Sequence, residues 1–156
     1  MGNAWNSVKN FIFGEPLESW PEMASAVASR QIHEPERMKG VNVDLVSPME
    51  RMLYNLMGNS VYGAYNPITG KLKVDRKNIE KDKMTNDSSF IQTLLEHELT
   101  HADQKRKHGR MGSYMKTVKS MAQPYEQRPL EREALDAEGT TWRKYRTQDI
   151  SLPRGK

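Results

Sequence analysis

Two histidines four residues apart, inside the run LLEHELTHADQKRK at positions 94–107, constrain this chain more than any other feature. On an α-helix such a pair shares one face, about one turn apart. Phe90, Ile91, Leu94 and Leu95 lead into it at helical spacing, which demands a buried side. The pattern predicts a helix from about Ser88 to Lys107, capped by Asn86 or Asp87 and stopped at Gly109. One side of that helix then faces a core, which leaves His97 and His101 to face a cleft.

With no cysteine in the chain, disulfides, thiolate ligands and cysteine nucleophiles are excluded together. Any metal site must use histidine and carboxylate. Two imidazoles one turn apart can reach a single tetrahedral ion, and zinc takes nitrogen ligands at about 2.0–2.1 Å. Glu98 follows the first histidine and points about 100° around the helix, where it reaches a water on the ion rather than the ion itself. Metal-assisted hydrolysis needs that division of labour: the ion acidifies the water and polarises a carbonyl, and the glutamate carries the proton to the leaving group. The competing reading is a plain amphipathic helix whose histidines bond to their neighbours.

A catalytic zinc takes a third protein ligand. No histidine stands at the spacing of an H-x-x-G-x-x-H extension, and both His108 and His33 read as surface residues. The third ligand is therefore expected to be a carboxylate. RPLEREALDAE, about thirty residues downstream, supplies Glu131, Glu133, Asp136 and Glu138.

The other segments order themselves around this helix. A helix is predicted from Ser19 to about His33, broken at Pro35. VNVDLV, 41–46, alternates as a strand with one buried face. In SPMERMLYNLMG, Ser47 caps a helix with Glu50 closing a capping box, Met49, Met52, Leu53, Leu56 and Met57 form the apolar face, and Gly58 ends it. SVYGAYNPITGKLKVD reads as two strands around the turn NPITG. KRKHGRMGSYMKTVKS is a looser basic stretch holding one short helix, and the last helix begins at Pro129. The result is an α+β arrangement with a small sheet beside helices.

HELTH at 97–101 followed by PLEREA at 129–134 resembles the small zincin-like metallopeptidases of the glutamate-zincin type. The pattern is similar to that of the ImmA/IrrE repressor-cleaving peptidases and the CAAX-processing membrane peptidases. The resemblance spans roughly residues 60–140, hairpin included. It implies a minimal zincin-like domain, a small mixed sheet with an edge hairpin packed on the histidine helix. It implies His97 and His101 as zinc ligands, Glu98 as general base and Glu131 as third ligand. Glu133, about 160° further round the helix, is the competitor for that place. Where related motifs carry an Asp or Asn that orients a ligand histidine, this chain has Leu135, and Asp136 comes one residue late. Tyr125 is the expected oxyanion donor, with Arg128 a weaker candidate. An extended substrate is expected to add to a strand edge in the hairpin, where Gly63 and Ala64 let a second backbone approach.

The chain of 156 residues suits one domain, with 1–18 as an N-terminal arm, 19–148 as the domain and 149–156 as a tail. In the arm, Trp5, Val8 and Ile12 share a helix face, for packing on the domain or for docking a partner. A formal charge of +4 is no nucleic-acid signature, and KRKHGR at a helix end is read as solvated. The ten methionines are expected mostly in the helical core. Nothing reads as a membrane span or a signal peptide, so a cytoplasmic or phage-particle setting is expected. The expected function is a zinc-dependent metallopeptidase acting on a protein or peptide substrate. The alternative is a non-catalytic zincin-fold interaction or phage assembly protein.

Overall fold

Val41 and Leu45 turn inward along the alternating segment, which forms strand β1, Asn42–Leu45. The computed structural model describes residues 2–56 and 62–146. The remaining elements are α1 (Gly2–Phe13), α2 (Pro21–His33), α3 (Pro35–Met38), α4 (Pro48–Leu56), β2 (Gly63–Asn66), β3 (Lys71–Val74), α5 (Arg76–Lys81), α6 (Ser88–Ser120) and α7 (Pro129–Arg146). The α+β class is as expected. The chain divides into two compact units, Met1–Asn86 and Asp87–Lys156.

The first unit holds a three-stranded mixed sheet in the order β1-β3-β2. β3 pairs parallel with β1, Asn42 opposite Lys71, and antiparallel with β2, Gly63 opposite Val74. In the turn, Asn66 Oδ1 accepts from the Ile68 and Thr69 amides and Gly70 takes φ 72°. Such a φ costs glycine little. Because β3 is flanked on both sides, β2 carries the outer edge of the hairpin.

Ser47 and Glu50 form the expected capping box: the Glu50 amide donates to Ser47 Oγ at 3.1 Å and the Ser47 amide to Glu50 Oε2 at 2.8 Å. The apolar face expected on α4 is not covered, since Met52, Leu53 and Leu56 are exposed; Met57 and Gly58 lie outside the described residues. The arm is helical as α1 and touches α4, yet Trp5 and Phe13 stay exposed. α2 begins at Pro21, not Ser19, because residues Leu17–Ser19 form a 3-10 turn and Trp20 is buried, its Nε1 donating to the Thr85 carbonyl at 3.0 Å.

Helix α5 was not foreseen. Asp75, almost fully buried, accepts from the Lys77 and Asn78 amides that open it and takes Arg51 Nε at 2.9 and 3.0 Å on its two oxygens. One carboxylate thus caps a helix and holds the α4 side chain at the end of β3.

In the second unit α6 is capped by Asp87, whose Oδ1 accepts from the Phe90 amide at 3.0 Å. Gly109 breaks the helix at φ 72°, ψ 167°, as the stop signal predicted, but the basic stretch beyond is helical through Ser120 rather than loose. This second leg buries Ser113 and Ser120 and exposes Met111, Tyr114, Met115, Val118 and Met121. The expectation of a methionine core is therefore corrected: among the described methionines, Met23 and Met38 are the buried ones. The alternation of apolar residues alone does not say which side of a helix is covered. The tail, 149–156, lies outside the described residues.

Replacing Asp75 with Ala leaves Arg51 unpaired in a largely buried place and removes the α5 cap. A loss of about 3–5 kcal/mol is expected in urea unfolding of the variant. An unchanged midpoint would show that this carboxylate organises nothing.

Candidate metal centre

Ile91, Leu95, Leu99 and Ala102 form the buried stripe of α6. Their spacing puts His97 and His101 well round the same helix, about 135° from the centre of that stripe. α7 lies along α6 and turns inward the fully buried Ala134, whose small side chain permits close approach. Glu131 and Glu138 stand three residues before and four after Ala134, so one face of α7 carries all three.

The structure brings His97, His101 and Glu131 together, with one donor atom from each inside a 4.8 Å span. Glu131 Oε2 lies 3.6 Å from His97 Nε2 and 3.3 Å from His101 Nε2. The two rings stand edge to face, 5.0 Å apart at 78°. Two atoms each bonded to one tetrahedral zinc at about 2.0–2.1 Å lie about 3.3–3.4 Å apart, so the spacing matches.

The hydrogen bonds behind the cluster decide what it presents. His97 Nδ1 faces Glu138 Oε2 at 3.1 Å, and a carboxylate only accepts, so Nδ1 carries a proton and Nε2 is the nitrogen that offers a lone pair once the ring is neutral. Glu131 Oε2 is closed off from solvent and, at the spacings present, no donor among the described residues stands in hydrogen-bond geometry to it. Buried oxygens are rarely left in that state. Lone pairs on this oxygen and on the imidazoles repel unless a cation lies between them. A two-histidine, one-glutamate set with an orphaned buried oxygen therefore fits a divalent ion.

The proton is the competing cation. Burial alone would lower the His97 pKa, but the Glu131 and Glu138 carboxylates outweigh it and push the ring up to about 10. His101 is raised against the same opposition by Glu131 and by the charge of Glu98. Burial would raise Glu131, yet His101, His97 and Tyr125 pull it well below the usual carboxylate range.

Tyr125 stands at the cluster, with Oη 3.3 Å from His97 Nε2. Burial, then Glu131 and the charges of Glu98 and Glu138, hold its hydroxyl protonated far above the ordinary range. Glu98 is buried beside the histidines, and its charge acts on both rings and on Tyr125. Arg128 does not enter the cluster. It lies over the Tyr125 ring at 5.7 Å and donates to the Gln123 and Met121 carbonyls, steadying the loop that carries the tyrosine.

Glu133 and Asp136 lie outside the donor group, and Glu133 accepts from Gln104 Nε2 at 3.1 Å. His108 is half-buried and takes Lys116 Nζ at 3.1 Å on Nε2, away from the cluster, while His33 is exposed as read. Two supporting roles were missed in the sequence: Glu138, offered there as a candidate ligand, stands behind His97, and Gln104 stands behind His101. A signal for the first existed: Glu138 is seven residues after Glu131, two turns along one face.

Because His97 holds its proton up to about pH 10, an ion binding at neutral pH must displace it. Zinc affinity is expected to climb with pH, by roughly tenfold per unit for each proton displaced, and to weaken on acidification. Calorimetry in buffers of different ionisation enthalpy counts the protons released; none released would contradict this ordering.

Comparison of the chain with protein-family models, with curated proteins and with solved structures gives no match. What the site does is therefore read from its own residues.

Proposed function

We propose that the chain is a zinc-dependent peptidase of zincin-like build, acting on a protein or peptide segment. The observation that carries the reading is the convergence of His97 Nε2, His101 Nε2 and the orphaned Glu131 Oε2 on one point. His97, His101 and Glu131 would hold the ion. A zinc ion there supplies an acidified water and polarises the scissile carbonyl.

The chain's own groups do the rest. Glu98, buried beside the ligands, takes the proton of the attacking water and returns it to the leaving amine. Tyr125, kept protonated, donates to the oxygen that gains charge in the transition state. Arg128 keeps that hydroxyl in place by stacking on the ring. No helix among the described residues is long and apolar enough to cross a membrane.

A second reading, a non-catalytic interaction or assembly protein, draws support from the exposed apolar side chains of α1, where Trp5 is 62 % and Phe13 73 % accessible. A docking partner would cover them. Peptide turnover by the zinc-loaded chain separates the two, since a non-catalytic protein of the same fold can also hold zinc.

Elemental analysis is expected to find one zinc per chain, lost in Glu131→Ala and kept in Glu133→Ala. No zinc after metal is supplied would overturn the peptidase reading. In a zinc-loaded chain that cleaves a peptide, Glu98→Gln should keep the metal and abolish turnover, and Tyr125→Phe should lower kcat by about 10²-fold with the metal retained. A fully active Glu98→Gln variant would remove the glutamate from the chemistry.

A further inference from the structure

Among the described residues, no carboxylate stands at Nδ1 of His101. Its Nδ1 faces Gln104 Oε1 at 2.9 Å, on the next turn of α6. A neutral amide can present either end, so this contact alone leaves the ring's proton undecided. The other end of Gln104 decides it. Nε2 donates to the Leu130 carbonyl at 2.8 Å and to Glu133 Oε2 at 3.1 Å. Both partners only accept, so the atom facing them must be the nitrogen. The oxygen therefore faces His101 and Nδ1 must be a donor, which leaves Nε2, 3.3 Å from Glu131 Oε2, as the nitrogen that gives up its proton to a metal ion.

Gln104 is 2 % exposed, and its oxygen and nitrogen are both engaged. Leu130, which fixes the amide, immediately precedes Glu131. One side chain thus ties the backbone beside the carboxylate ligand to the ring of a histidine ligand on the other helix.

We propose that Gln104 is a positioning residue for the metal centre: held by the Leu130 carbonyl and Glu133, it locks His101 in the Nδ1–H form and fixes α7 in register with the two histidines. The proposal rests on the metal-site reading for its effect on affinity, and on hydrogen bonding alone for its effect on the ring. Glu133, which holds no place among the donors, acquires a role as the anchor of the amide.

The two parts are tested separately in the full-length chain. In the metal-free Glu131→Ala chain, where no carboxylate competes for the proton at Nε2, ¹⁵N shifts of the neutral His101 ring report which nitrogen is protonated. That chain is expected to carry the proton on Nδ1, and the Gln104 variants are compared with it in the same background. Gln104→Met, close in volume but without the acceptor, should shift it to Nε2 or to a mixture. Gln104→Glu still accepts from Nδ1 and should retain the parent pattern, but it cannot donate to Leu130 and faces Glu133 with like charge.

Zinc affinity, measured by competition with a chelator, should then fall ten- to a hundredfold in both variants. The double variant Gln104→Glu/Glu133→Gln restores a donor between the two positions and should recover to within a few-fold of parent. Unchanged ring shifts in Gln104→Met, or a double variant no tighter than Gln104→Glu, would overturn the proposal. A parent chain that binds no zinc, with the Nδ1–H pattern kept in the Glu131→Ala background, would overturn the metal reading and the affinity effect while preserving the lock on the ring.

Discussion

A single buried oxygen, Glu131 Oε2, faces two imidazole nitrogens at 3.3 and 3.6 Å with no solvent and no hydrogen bond from the described residues to relieve it. The second unit is organised around that confrontation. Lone pairs brought this close in a low-dielectric space are stable only with positive charge among them. Protons supply it in the metal-free chain, which is why His97 and His101 are raised while Glu131 is lowered. A divalent ion supplies it more fully, since it satisfies all three atoms at once.

Holding the confrontation in place is the work of helix packing and of the groups behind the three side chains. The small Ala134 lets α7 approach α6, Glu138 fixes the ring of His97, and Gln104 bonds to His101 while joining the two helices. Such partners need no further element, because each sits on a helix that already carries one of the three side chains. Glu138 follows Glu131 by two turns, and Gln104 follows His101 by one. Tyr125 arrives from the loop between the helices, its hydroxyl held protonated by the negative charge gathered around it.

The first unit relies on a different economy, in which one buried carboxylate does several things. Asp75 ends β3, caps α5 and pairs with Arg51 of α4, so that sheet and helices meet at one charged point. A buried ion pair is a poor source of net stability, but it penalises any arrangement that separates its partners. That penalty favours a single placement of α4 and α5 on the sheet. The exposed apolar residues of α1, of α4 and of the second leg of α6 stand outside both cores.

The sequence by itself determined the local pieces. Ser47 with Glu50, Asp87 before the histidine helix, Gly109 at its break and Asn66 with Gly70 in the hairpin were legible because caps and turns are satisfied by residues a few positions away. The pairing of His97 with His101 was legible for the same reason, since helical spacing alone places both on one face. Helix α5 was not, although its cap is equally local: the segment Arg76–Lys81 is short and holds one apolar residue, Ile79, too few to show a helical period. The tertiary structure alone decided that Glu131 lies with the histidines and Glu133 turns to Gln104, that Glu138 and Gln104 stand behind the rings, and that the second leg of α6 faces its methionines outward. Periodicity fixes which residues share a face; only packing fixes what that face meets.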